Sequence, residues 1–194
     1  LGDTVLDITK FTVSGEGPGG KTFTVAELIG GTGEIVSCDL HPKRVGLIKG
    51  GAERLGLENI KAEVNDATVF NKNLGLFDRA LCDVPCSGLG VIRRKPEIRF
   101  KKPQDIASLP KIQYKIASTT AEYLKSGGTL IYSTCTLSKE ENESVVKRLI
   151  SENGFVPERL PEELQKYSKD GFSVTLLPGE INSDGFYFAR LRKG

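Results

Sequence analysis

The sequence predicts an α/β domain built on a mostly parallel sheet. Three observations lead there: strand-like apolar runs alternate with helical runs, a Gly-rich turn follows the first strand, and acids stand at successive strand ends. In such a sheet, ligands bind outside the carboxyl ends of the strands. A chain of 194 residues, 38% hydrophobic and 27% charged, suffices for one domain with a sizeable core. The net charge of +2 neither requires nor excludes a nucleic-acid partner. No apolar run approaches membrane-spanning length and no signal-peptide pattern is present, so the expectation is a soluble, cytoplasmic protein with no membrane contact. The cysteines Cys38, Cys82, Cys86 and Cys135 form no Cys-x-x-Cys pair, and His41 is the single histidine, so neither a zinc site nor a disulfide framework is expected.

TVLDI is a short first strand that Gly2 and Asp3 enter abruptly, which suggests a missing upstream part. KTFTVAELIG has helical spacing after the Gly-rich turn, and EIVSCDL is a second strand ending in an acid. PKRVGLIKGGAERLG is an amphipathic helix whose middle Gly50 and Gly51 weaken. IKAEVND and FDRALCDVP are the third and fourth strands, the latter stopped by Pro85. After the basic loop CSGLGVIRRKPEIRFKKP, a long helix is expected over residues 104–125, with Pro110 a possible break in its first part. GGTLIYSTCT is the fifth strand, and KEENESVVKRLISEN a helix with Ser138 as N-cap and Glu141 completing a capping box. A short strand near FVPERL, a polar loop and a final strand GFYFARLRK close the chain.

This order puts Asp7, the Gly-rich loop, Asp39, Asp66, Asp83 and Cys135 on one rim. Asp39 suits a ribose-binding acid, or equally a turn residue capping the next helix. Asp66 could bond an adenine amine or simply punctuate a turn. Buried-hydrophobe behaviour suits Cys82 and Cys38, whereas Cys86 and Cys135 sit in polar turns at strand ends. The basic residues Arg93, Arg94, Lys95 and Arg99 directly follow the DVPCSG turn, where they could hold RNA phosphates or form a solvated loop. His41 reads as a surface residue with no role.

GEGPGGKT, residues 15–22, matches the phosphate-loop pattern G-x-x-x-x-G-K-[ST]. A nucleotide hydrolase with Asp83 as metal ligand is one reading, but it explains neither cysteine turn.

DVPCSGLGVIRRKPEIRF, LIYSTCTLSKEENESVV and LLPGEINSDGFYFARLRK, together with PGGKT, Asp39 and Asp66, resemble the motifs of the Nol/Nop/Sun (RsmB/Fmu-like) family of RNA cytosine-C5 methyltransferases. The resemblance covers nearly the whole chain and is strongest to the bacterial ribosomal-RNA branch. It implies a class I S-adenosylmethionine-dependent methyltransferase fold, Rossmann-like, with a mostly parallel seven-stranded sheet and helices on both faces. It further implies a single catalytic domain over residues 1–194 lacking an upstream RNA-binding region, and a monomer acting on ribosomal rather than transfer RNA without a metal. S-adenosylmethionine would be held by Pro18, Gly19, Gly20, Lys21, Asp39, Arg44, Asp66 and Asp83. Cys135 would be the nucleophile, Cys86 would assist breakdown of the covalent adduct, Asp83 would contact the cytosine, and Lys21 would lie near the active centre. Chemistry alone would let the two cysteines exchange roles. The sequence departs from the family at ITKFTVSGEG, a longer loop without the usual Cys-Ala-Ala, and this insertion creates the phosphate-loop match. An RNA-binding module of the same fold that has lost catalysis is the remaining alternative.

Overall fold

The computed structural model describes the backbone of residues 5–8, and residues 19–30, 33–180 and 182–194 in full. Pro18, the side chain of Asp7 and nearly all of the ITKFTVSGEG insertion lie outside the described residues. The first half alternates as expected: β1 (Val5–Ile8), α1 (Gly20–Leu28), β2 (Ile35–Asp39), α2 (Pro42–Leu55), β3 (Ile60–Val64) and β4 (Phe77–Asp83). Two helices follow, α3 (Pro103–Ala107) and α4 (Leu109–Glu122), then β5 (Leu124–Thr134) and α5 (Glu143–Asn153). The chain closes with β6 (Phe155–Pro157), α6 (Glu162–Gln165), β7 (Ser173–Leu176) and β8 (Phe186–Lys193).

One mixed sheet organises these elements in the order β3-β2-β1-β4-β5-β8-β6, with β7 also paired to β8. Strands β1 to β5 run parallel, whereas β8 is antiparallel to β5, β6 and β7. The expected seven strands are thus eight. The difference has a simple cause: β6 pairs with residues 191–193 of β8 and β7 with residues 186–189, so two short strands share one outer lane. The sequence reading took β7 for loop because SVTL is brief and bounded by polar turns.

Helices cover both faces. Val36 and Cys38 of β2 pack into the large core with Ile116 and Ala117 of α4 and Val145, Val146 and Leu149 of α5. Their neighbour Ile35 points the other way, to Ala26 of α1. This alternation follows from the two-residue repeat of a strand. Gly51 in α2 has a packing reason: a Cβ there would meet the Phe23 ring of α1 at 2.4 Å.

Three boundaries differ from expectation. The long helix is divided at Ser108, and Pro110 sits in the first turn of α4, where its missing N–H costs nothing. Strand β5 starts at Leu124, because Leu124 is buried and pairs with Phe77 before a register shift. Helix α5 begins after Asn142, whose side chain makes no cap bond, and not after Ser138, whose hydroxyl donates to Glu140. Glu141 turns inward, fully buried, so the capping box does not form. No helix among the described residues is long and apolar enough to cross a membrane.

Candidate active site

Parallel register brings the strand ends level. Cys82 and Asp83 of β4 lie opposite Tyr132 and Ser133 of β5, and Cys38 and Asp39 of β2 lie opposite Glu63 and Val64 of β3. The first consequence is a charged pair. Asp83 accepts from Ser133 Oγ at 2.9 Å and meets Lys21 Nζ, from the first turn of α1, at 2.6 Å. Gly19 precedes α1 with φ 97°, a conformation open to glycine, and Phe23 N–H donates to its carbonyl at 2.8 Å. Gly20 is the exposed first residue of the helix. Thr22 does not serve as a phosphate-loop threonine, because it is fully buried and its hydroxyl is bonded to Ser37 Oγ at 2.9 Å. The sequence match to a nucleotide-triphosphate loop is therefore incidental.

The acids are held locally. Asp39 accepts the His41 N–H on Oδ1 at 2.7 Å, a turn that sets up α2. Its buried Oδ2 has no hydrogen-bond partner and faces Arg44 Nη1 at 3.7 Å. A buried carboxylate oxygen left open in this way fits a ligand hydroxyl. His41 thus acts through its backbone as the residue before α2. Asp66 is oriented by Thr68, whose N–H and hydroxyl both donate to Oδ1.

Cys135 comes immediately after β5, and its Sγ lies 3.0 Å from Sγ of Cys86, in the turn after β4. Both thiols are free and half-buried. The Cys86 thiol donated to Cys135 holds the latter below its ordinary value, with a smaller pull from Lys21 against burial and the Asp83 charge. That same contact, reinforced by burial, pushes Cys86 up. Of the two thiols, Cys135 is thus the more readily ionised. Cys82, enclosed in β4, is pushed up to about 12 by burial, and Cys38 is equally buried, as expected of inert thiols.

The two thiol turns are fastened by residues that sequence reasoning missed. Glu141 Oε2 accepts from Ser87 N–H at 2.8 Å and from Gln113 Nε2 at 2.9 Å, while Gln113 also donates to the Pro85 carbonyl at 2.8 Å. Ser87 Oγ is bonded to Thr136 Oγ1 at 2.6 Å, and Lys101 Nζ donates to the Ser87 carbonyl at 2.9 Å. From the other side, Gly90 N–H donates to the Cys135 carbonyl at 3.0 Å and Gly185 N–H to the Gly90 carbonyl at 2.8 Å. A Cβ on Gly90 would lie 2.1 Å from the Gly185 carbonyl oxygen, so only glycine fits. The paired glycines in GLG and DGF were the one available signal.

Arg93 and Arg99 are exposed on the basic loop and Lys95 is half-buried. Arg94 does not stand free: its Nε donates to the nearly buried Asp184, clasping the loop to the segment before β8. A buried carboxylate needs such a partner.

Comparison with known proteins bears on the family and the fold. A probable ribosomal RNA small subunit methyltransferase B of Bacillus subtilis is 43% identical over 200 residues, covering 98% of this chain and 43% of the relative. The chain thus spans less than half the length of that relative. The crystal structure of NSun6 from Pyrococcus horikoshii superimposes with a TM-score of 0.84 at 30% identity, over 98% of this chain and 48% of that one. An S-adenosylmethionine-dependent O-methyltransferase from Thermotoga maritima, 15% identical with a TM-score of 0.58, shares the fold alone. The class I S-adenosylmethionine-dependent methyltransferase fold expected from the sequence is the fold of this chain. The family described as 16S rRNA methyltransferase RsmB/F matches residues 2–192, and with that match the chain belongs to this methyltransferase family.

Proposed function

We propose that this chain is the catalytic domain of an RNA cytosine-C5 methyltransferase that uses S-adenosylmethionine and acts on ribosomal rather than transfer RNA, as a cytoplasmic monomer. The observation that carries the reading is the thiol pair, 3.0 Å apart beside the Lys21–Asp83 pair at the strand ends. The open Oδ2 of Asp39 would take the ribose hydroxyls, with Asp66 near the adenine amine and Arg44 steadying Asp39. Gly19, Gly20 and the amides opening α1 would face the methionine part, alongside Pro18. When bound, S-adenosylmethionine supplies an electrophilic methyl group.

Carbon 5 of cytosine is a poor nucleophile until a thiolate adds at carbon 6. Cys135, favoured as thiolate, makes that bond, and the ring electrons it displaces collect at carbon 5 and at N3, where the Asp83 carboxyl, in its protonated form, donates a hydrogen bond. Carbon 5 then takes the methyl group. Release requires loss of the carbon 5 proton and departure of the Cys135 thiolate. Cys86 suits that step: once its own proton has passed to solvent, its thiolate can take the carbon 5 proton, and the electrons left in the ring expel the Cys135 thiolate. The base must leave its stack to enter, and Arg93, Arg94, Lys95 and Arg99 lie in the loop that would meet the RNA backbone.

The two thiols give the test. With labelled S-adenosylmethionine and ribosomal RNA, Cys135→Ala forms no covalent link, whereas Cys86→Ala methylates and stalls as a protein–RNA adduct that survives denaturing electrophoresis. An adduct in Cys135→Ala and none in Cys86→Ala would reverse the roles, and full activity in the double variant would remove the covalent mechanism.

A further inference from the structure

Phe100 is the single aromatic residue of the basic loop, and its side chain is 79% exposed. It ends a 3-10 turn at Pro96–Phe100, and this turn is pinned against the thiol turn from two sides. Ile98 is buried, with its Cδ1 3.0 Å from where a Cβ on Gly88 would lie. Lys101 donates to the carbonyl of Ser87, the neighbour of Cys86. With residues 98 and 101 both turned in, residue 100 faces outward. Around it Arg99, Lys102, Gln104 and Asp105 are all exposed. A protein-docking patch would surround such an aromatic with further apolar surface, but its exposed neighbours along the chain are polar, with Arg99, Lys101 and Lys102 cationic and Glu97 and Asp105 acidic.

We propose that Phe100 is a stacking platform for an unpaired RNA base next to the target cytosine, with Arg99 and Lys102 on the adjoining phosphates. The inference rests on the RNA reading above and deepens it. An aromatic face beside a cationic track is the arrangement that holds single-stranded nucleic acid, and stacking accepts any base. Drawing a cytosine out of its stack exposes the faces of its neighbours, and a fixed ring beside the thiol turn would cover one of them.

The chain contains no Trp, so Phe100→Trp introduces a unique fluorophore at this point. Its emission is expected to be solvent-exposed in the free chain, quenched by a single-stranded RNA oligonucleotide, and unquenched by an abasic oligonucleotide of equal charge. Phe100→Ala should weaken RNA binding on the order of tenfold, with unchanged salt slope, since stacking releases no counterions. Its S-adenosylmethionine affinity should match the wild type, which also reports intact folding. Wild-type RNA affinity in Phe100→Ala, or equal quenching by the abasic oligonucleotide, overturns the stacking role while leaving the RNA reading intact. Blue-shifted emission in the free chain would mean the ring is covered by protein, and would overturn it too. Failure of the wild type to bind RNA overturns both.

Discussion

The acid turns and the thiol turns lie on one rim but are built differently. Asp39 and Asp66 are each oriented by a backbone N–H two residues on, from His41 and Thr68. Cys86 and Cys135 stand in turns whose bonds run to Gln113, Glu141, Lys101 and Gly185, far away in the chain. If the acid turns hold the cofactor, as proposed, that site can be adjusted one turn at a time. A nucleophile that must meet carbon 6 within tenths of an ångström needs its backbone fixed from several elements at once.

The contrast can be broken most severely at Gly90. Gly90→Ala forces a Cβ into the Gly185 carbonyl and must move the Cys135 carbonyl that Gly90 bonds. The expected cost is about 3 kcal/mol of stability, with methyl transfer lost, measured by urea unfolding and by labelled methyl incorporation. Glu141→Ala comes next. It strands the buried Ser87 N–H and one bond of Gln113, at about 1–3 kcal/mol. Methyl transfer should fall far more than S-adenosylmethionine affinity, and equal losses in both would refute a role confined to the thiol turns. Asp39→Ala should do the reverse. Calorimetry should show cofactor affinity reduced by about 1.5–3 kcal/mol, with unfolding shifted by no more than about 1 kcal/mol for the lost His41 bond.

The same division explains what could be read from the sequence. Strand ends carrying Asp39, Asp66 and Asp83 announce themselves, because a hydrophobic run stopping at an acid is a local pattern. So do the two thiol turns, through Pro85 and the Ser/Thr-rich STCT run. Glu141 was hidden: three residues after Ser138 it imitates a capping box, and only the tertiary fold brings Gln113 and Ser87 to it. Lys101 was equally hidden, since a run of cations does not say which one turns inward. Strand β7 was missed because four residues become a strand only when β8 lies alongside.

The thiol pair itself can be sharpened by pH. The Cys86 thiol is the largest cause holding Cys135 low, followed by the backbone N–H of Cys135 itself and then by Lys21. A depressed thiol is ionised above its lowered value and loses that charge as pH falls through it. Removing the donor in Cys86→Ala should move the midpoint of Cys135 alkylation by iodoacetamide to higher pH. Cys86→Ser, which keeps a donor, should move it less. An unchanged midpoint in Cys86→Ala would transfer the effect to the Cys135 backbone N–H and Lys21.

The smallest effect, at Gly50, lies on the cofactor side of α2, next to a larger one at Gly51. Both weaken a helix in principle, since glycine surrenders more backbone freedom than alanine on folding. Gly50 is exposed and a Cβ there would meet nothing within 4 Å, so Gly50→Ala should stabilise the chain by about 0.5–1 kcal/mol. Gly51 faces Phe23, and its Cβ would sit 2.4 Å from the ring, so Gly51→Ala must displace the ring from the face it shares with Val45 and Ile48. That overpacking should cost about 1–3 kcal/mol. Phe23 belongs to α1, the helix that carries Lys21, so the displacement should also loosen the Lys21–Asp83 pair and lower cofactor affinity. Gly50→Ala should leave that affinity unchanged. If both substitutions stabilised alike in urea unfolding, the ring would not be wedged against Gly51, and the link from α2 through Phe23 to Lys21 would fail.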